Sequence, residues 1–193
     1  MSEASGTGRP GRYDRSAGGL VGSMIVLVLV VLGIVIFRGT FRDTPTYEPD
    51  HVDYLALVTS IQQGAGLEPV YPAALPDGWF VKQATFTPGD RPVFDLAMTT
   101  DEDHFAGLHQ EDRSVDALVD TLVGTDATEG DEVRLDSSVA SSWQTFSDPD
   151  GDHAFAAQVG EDTVLVYGSA PEDDLRELVE SLTTAPLDPQ DVS

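Results

Sequence analysis

The chain has 193 residues, 40% of them hydrophobic, and a formal net charge of −24. Such an acidic chain repels nucleic acid and anionic lipid headgroups, so we expect no nucleic-acid partner. It contains no cysteine, which excludes disulfides, thiolate metal sites and a cysteine nucleophile.

An uncharged apolar run from Leu20 to Phe37 lies near the N-terminus. As a helix it would span about 27 Å, close to the thickness of a bilayer core. We therefore predict a transmembrane helix at residues 17–37 after a disordered cytoplasmic tail at residues 1–16. The run is longer than the apolar core of a signal peptide and no small-residue cleavage pattern follows it, which favours a retained signal anchor over a cleaved peptide.

The arginines around this run predict its orientation. Three precede it and two follow it: Arg9, Arg12, Arg15, Arg38 and Arg42. With the short tail, this excess predicts a single-pass protein of the cell membrane whose N-terminus is cytoplasmic and whose C-terminal domain is extracytoplasmic. Gly18 and Gly22 have the spacing that lets two membrane helices approach, which would allow a weak homodimer, although such residues are also common in membrane helices that do not pair.

The rest of the chain is predicted to form a tether at residues 38–49, one extracytoplasmic domain at residues 50–187 and a frayed tail at residues 188–193. From Thr44 onward there are 5 basic and 31 acidic residues, a net charge of −26. Such a surface favours a basic partner, although solubility alone also explains it.

Three amphipathic patterns predict helices at about residues 50–63, 114–124 and 169–186. Their predicted N-cap residues are Asp50, Ser114 and Ser169, the last in a capping box with Glu172. Alternating apolar and polar residues predict strands at residues 79–87, 93–99, 104–110, 132–135, 142–147, 154–159 and 163–167. Residues 70–79 and 125–131 are predicted loops. Because short turns join the strands, we expect an α+β fold with an antiparallel sheet of about seven strands covered by about three helices.

Several short motifs occur in a distinctive order. They are Arg12-Tyr13, Val52-Asp53-Tyr54, Leu75-Pro76-Asp77-Gly78-Trp79, Gly107-Leu108-His109-Gln110, Trp143 and the strand–helix unit at residues 164–182. In this order the chain resembles the actinobacterial single-pass membrane proteins of the domain of unknown function 4245. The resemblance implies a location and an architecture, and it assigns no activity and no site residue. One departure is Phe94-Asp95, where family members often have Trp.

A second, more distant resemblance rests on the turn at residues 75–79 and the closing strand–helix unit. These are similar to envelope sensor and lipoprotein-carrier-like domains that regulate sigma factors. The likeness is one of fold, so it implies a ligand or a regulatory role only by analogy.

No pattern in the sequence indicates catalysis, since it has no P-loop, no dinucleotide-binding glycine motif and no nucleophile elbow. We expect no enzyme, no cofactor and no metal site. The acidic turn Asp148–Asp152 lacks the spacing of an EF-hand calcium loop and indicates a hairpin turn, with a weak cation site as the alternative. His104 and His109 are predicted on opposite faces of one strand, which argues against a shared metal.

Three functions are compatible with the sequence. The first is a non-catalytic binding or scaffolding domain at the cell envelope, with an envelope protein as partner. The second is a carrier or sensor of lipid or another apolar ligand, linked to envelope-stress regulation, which would need a cavity lined by Trp79, Phe86, Phe94 and Phe155. The third is an envelope hydrolase, which would need a histidine beside a serine or carboxylate in a cleft. A filled seam between sheet and helices would favour the first.

Overall fold

A computed structural model of the protein describes residues 52–64 and 66–187, which belong to the compact unit Pro49–Ser193. The predicted tail, transmembrane helix, tether and C-terminal tail lie outside the described residues, as do Gly18 and Gly22. Within the described residues, no helix is both long and apolar enough to cross a membrane.

Three helices and ten strands make up the described part of the chain. The helices are α1 (Tyr54–Gln62), α2 (Val115–Leu122) and α3 (Glu172–Glu180). The strands are β1 (Tyr71–Pro72), β2 (Phe80–Thr87), β3 (Val93–Thr99), β4 (Phe105–Glu111), β5 (Thr128–Glu129), β6 (Val133–Arg134), β7 (Ser142–Ser147), β8 (His153–Val159), β9 (Asp162–Gly168) and β10 (Leu182–Thr183).

Eight of these strands form one antiparallel sheet in the order β2-β3-β4-β9-β8-β7-β5, with β6 also paired to β7. Most neighbours are hairpins, because tight turns join consecutive strands. The pairing of β4 with β9 is the long-range one, and it places Leu108 opposite Val166 and His109 opposite Leu165. The predicted α+β class, with an antiparallel sheet and three helices, is confirmed.

One face of the sheet, the closed face, is covered by α1 and α3. Strand β3 shows why: Phe94, Leu96 and Met98 are buried and alternate with residues that are only partly buried, as the period of two requires. They join the apolar residues of both helices in one core cluster. Burial of this apolar surface is the main stabilising term of the fold.

Helix α2 covers only part of the opposite face. Its Leu118 and Val119 pack against residues of β7, β8 and β9, among them Phe146, Ala156 and Leu165. All the strand residues in this second cluster come from those three strands, so it does not extend over β2, β3 and β4.

Of the first two predicted N-cap residues, Asp50 was wrong and Ser114 was confirmed in position. Helix α1 begins after Asp53, not Asp50, and the Asp53 carboxylate accepts a hydrogen bond from the Ala56 N–H at 3.1 Å. Asp53 is three residues before that donor, which is the reach of an N-cap side chain. Ser114 does occupy the N-cap position of α2, but its hydroxyl makes no capping hydrogen bond.

The capping box predicted for the third helix was also wrong. Pro171 occupies the N-cap position of α3, and the Ser169 hydroxyl instead accepts a hydrogen bond from the Phe105 N–H at 3.1 Å. Glu172 pairs with Arg176 at 3.0 Å. The chain at residues 169–170 is held against the start of β4, which places Ser169 too far from the helix start to cap it.

Three short strands lie in segments that were predicted to be something else. Strand β1 falls in the predicted loop at residues 70–79 and β5 in the predicted loop at residues 125–131. Helix α3 ends at Glu180, several residues before the predicted end, and β10 follows it and pairs with β1. Two-residue strands are too short to show an alternating pattern, so periodicity could not reveal them.

Candidate functional site

The part of the opposite face that no helix of the described residues covers is the candidate functional site. We call it the open half-sheet: the outward residues of β2, β3 and β4 together with Tyr167 of β9. Strand register aligns Thr85, Asp95 and His109 in one row. A neighbouring row aligns Gln83, Ala97, Gly107 and Tyr167 across four strands.

His109 lies between two carboxylates on this surface. Its Nδ1 is 2.6 Å from Asp95 Oδ1, and its Nε2 is 3.3 Å from Glu111 Oε2. The His109 side chain is only 9% exposed, whereas that of Asp95 is 42% exposed. Both ring nitrogens therefore face acceptors, an arrangement that only the protonated imidazole satisfies with two donors.

The pKa of His109 reflects opposing influences. Burial alone lowers it, while the hydrogen bonds and negative charges of Asp95 and Glu111 raise it. The net effect is a pKa above the ordinary histidine value. His109 thus carries positive charge to a higher pH than an exposed histidine and holds the carboxylate of Asp95 in place.

A shallow pocket lies on the open half-sheet beside Asp95. Its volume is about 290 Å³. Its lining residues include Gln83, Thr85, Asp95, Ala97, Phe105 and Tyr167. Ala97 is the small residue among them, and the rings of Phe105 and Tyr167 form one wall.

The aromatic wall is fixed by close contacts. Tyr167 lies over Gly107, where a Cβ atom would come within 2.6 Å of the tyrosine ring. The Phe105 and Tyr167 rings meet edge to face, with centroids 5.7 Å apart. Phe105 is 38% exposed and is the exposed large hydrophobic residue of the described chain. Its carbonyl accepts a hydrogen bond from the Ala170 N–H and its N–H donates to Ser169, so its backbone is held on both sides.

A family model described as a protein of unknown function (DUF4245) matches residues 12–182. The chain belongs to this family. Among curated proteins, no sequence matches the chain. Among solved structures, the chain is similar to one in the crystal structure of MucB in complex with MucA(peri), with 13% sequence identity and a TM-score of 0.32. The match covers 59% of this chain and 35% of that chain, so this DUF4245 chain spans about a third of its length.

The four residues of the Gly107-Leu108-His109-Gln110 motif each have a separate role in the DUF4245 chain. Leu108 is in the closed-face core. Gln110 is buried and accepts a hydrogen bond from the Val70 N–H at 2.8 Å, while its amide donates to the Glu68 carbonyl at 3.0 Å. The motif therefore joins the loop before β1 to the sheet and also builds the open half-sheet.

The acidic turn Asp148–Asp152 is a backbone turn in the structure. Asp148 Oδ1 accepts hydrogen bonds from the N–H groups of Asp150 and Asp152, at 3.0 and 2.9 Å. Burial and the neighbouring charges of Asp148 and Asp150 raise the pKa of Asp152. In residues 52–64 and 66–187, no group of three or more histidine and carboxylate side chains is arranged to hold a metal ion.

The aromatic residues proposed to line a ligand cavity do not form one together. Phe94 and Phe155 are fully buried in the closed-face core, while Trp79 and Phe86 pack against its border. Trp143 is fully buried and its indole N–H donates to the Ala140 carbonyl at 2.9 Å. The seam between sheet and helices is filled at these residues, which favours the first of the three sequence-based functions.

His104 and His109 have different partners. His104 Nε2 is 3.7 Å from Glu102, at the turn before β4, and His109 pairs with Asp95 and Glu111. Sequence reasoning missed the group of His109, Asp95 and Glu111 because its members come from two strands. One signal was available: Asp95 and His109 each alternate with buried residues, which places both on the side of the sheet away from the core.

Proposed function

We propose that this chain is a membrane-anchored, non-catalytic binding domain that lies outside the cytoplasm and binds a basic protein of the cell envelope. The observation that carries the proposal is the open half-sheet, where a fixed and exposed Phe105 lines the same pocket as Asp95, whose side chain is 42% exposed. The apolar run Leu20–Phe37 supports the anchor.

The surface has the composition expected of a contact site. Aromatic residues are enriched at protein interfaces and often dominate their binding energy. Phe105 and Tyr167 are held by packing and backbone hydrogen bonds, so binding would cost little ordering entropy. The net charge of −24 would steer a basic partner toward the domain and disfavour acidic ones.

The two rival functions have less support. A hydrolase needs an available general base, but both ring nitrogens of His109 are engaged by carboxylates and the side chain is 9% exposed. A lipid carrier needs an apolar cavity, but Phe94 and Phe155 are enclosed in the core.

Photo-cross-linking in cells tests the proposal. A benzoylphenylalanine probe replaces Phe105 in the full chain, and a control chain carries the same probe at Asp120, an exposed position on α2. We expect an adduct with a basic protein at the first position and not at the second. Removing residues 1–37 should lower the yield, because the domain would no longer be held at the membrane.

Two outcomes contradict the proposal. Equal adducts at both positions would mean that the open half-sheet is not a preferred contact surface. If the probe at position 105 forms an adduct with lipid and not with protein, the carrier function would be favoured over the protein-binding function.

A further inference from the structure

The pocket beside Asp95 is small. At about 290 Å³ it lies at the lower limit of typical ligand sites, which suits one side chain of a larger partner better than a whole small-molecule ligand. The small Ala97 is one of its lining residues, and the Phe105–Tyr167 pair stands at one end.

The polar side chains that line the pocket include acceptors on Asp95 and Gln83. Asp95 uses Oδ1 to hold His109, and among the described residues its Oδ2 has no hydrogen-bond partner. The Gln83 amide nitrogen donates to the Thr85 hydroxyl at 3.1 Å, which leaves the Gln83 carbonyl oxygen as an acceptor. A carboxylate and an amide oxygen together select a ligand that brings several N–H donors.

The aromatic wall selects for positive charge as well. The faces of tyrosine and phenylalanine rings attract cations, and a planar guanidinium can also stack on them. An ammonium group would make the same charge contact without the stacking or the forked pair of donors. The acidic domain around the pocket adds a long-range attraction for any cation.

We infer that this pocket binds the guanidinium group of an arginine side chain from the partner. The inference rests on the proposed function and names the chemistry of its central contact. The guanidinium would donate to Asp95 Oδ2 and the Gln83 carbonyl, with its plane against Tyr167 or Phe105. The carboxylate is positioned in advance by His109.

Fluorescence anisotropy with a labelled peptide tests this contact directly. The probe is a peptide of alternating glycine and arginine, compared with matched peptides in which lysine or uncharged citrulline replaces arginine. We expect the full chain to bind the arginine peptide about tenfold more tightly than the citrulline peptide, with the lysine peptide between them.

Two matched pairs of variants locate the contact. Gln83→Lys places a positive charge at the pocket, and Gln63→Lys makes the same change at an exposed position at the end of α1. Asp95→Asn removes the pocket carboxylate, and Asp126→Asn removes an exposed carboxylate in the loop after α2. The pocket variants should weaken arginine-peptide binding by about tenfold, and their controls by less than about twofold.

The outcomes separate this inference from the proposed function. If each control variant weakens binding as much as its matched pocket variant, the attraction comes from the general negative charge and the pocket assignment is wrong. The proposal of a basic binding partner would be unaffected. If the arginine and citrulline peptides bind equally, the guanidinium contact is also wrong. The cross-linking experiment decides the proposed function in either case. Because Gln83 is exposed, its variant tests the pocket even if Asp95→Asn disturbs folding.

Discussion

The two faces of this sheet are built from the same strands but follow different rules. On the closed face, Phe94, Leu108 and Phe155 are buried to 1% exposure or less and pack under two helices. On the open half-sheet, the alternate residues of the same strands are Asp95 and His109, and the large apolar residue Phe105 is exposed.

The contrast shows that the closed face contributes most of the stability and the open half-sheet much less. Nothing in the stability of an antiparallel sheet requires a histidine between two carboxylates, and a solvent-facing sheet surface needs only polar residues. An exposed aromatic residue that is fixed by its backbone on both sides also adds little to the core. Under the proposed function, these features would serve contact with another molecule. Substitutions on the two faces test this contrast.

Loss of an aromatic ring should lower the free energy of unfolding more on the closed face than on the open half-sheet. Phe155→Ala removes a fully buried side chain and leaves a cavity under the helices. We expect the free energy of unfolding to fall by about 3–5 kcal/mol, measured by urea unfolding of the full chain with tryptophan fluorescence. A loss below about 1 kcal/mol would mean that this face is not the stabilising core.

The close approach of β4 and Tyr167 should make Gly107 the most sensitive position of the open half-sheet. In Gly107→Ala the new Cβ would meet the Tyr167 ring, so we expect a loss of about 1–3 kcal/mol in unfolding free energy. In the Tyr167→Ala background the same change should cost less than about 0.5 kcal/mol, because the ring is gone. Equal costs in both backgrounds would show that the ring does not limit position 107.

Phe105→Ala is the matched control for the closed-face variant, since it removes the same side chain from the other side of the sheet. It loses an exposed ring and its edge contact with Tyr167. We expect a loss of about 1 kcal/mol by the same urea measurement, several times smaller than for Phe155→Ala. Similar losses in the two variants would remove the distinction between the faces.

His109 should give the smallest effect and one that depends on pH. Its pKa is raised in the folded state, so its contribution to stability is fully present below the unfolded-state pKa of about 6.5 and is lost as pH rises through the folded-state value. The difference in unfolding free energy between wild type and His109→Gln should therefore be larger near about pH 5 than near about pH 9. A difference that grows toward high pH would contradict the raised pKa.

Much of the fold could be predicted from the sequence because long strands show their alternation. Strand β3 occurs at the residues that its Phe94-x-Leu96-x-Met98 pattern predicts, and helix α2 at its predicted spacing. The helix caps were harder to predict, since a serine next to a helix has other partners in the folded chain. Ser169 shows this, because its hydroxyl bonds to Phe105, which lies far from it in sequence.

The site could be predicted only in part. Alternation places Asp95 and His109 on the same side of the sheet, but the register between β3 and β4 brings them to 2.6 Å, and register depends on tertiary packing. The pocket also depends on β9, since Tyr167 reaches it from a strand that is paired over a long sequence separation. Neither relationship is encoded in a local pattern.

The central claim is that the open half-sheet is a binding surface and not a second core. The most direct test is the capture of a basic envelope protein by the full chain and by Phe105→Ala, compared at equal amounts of folded protein. The account predicts that the variant remains folded and loses most of the capture. Undiminished capture by the folded variant would contradict it.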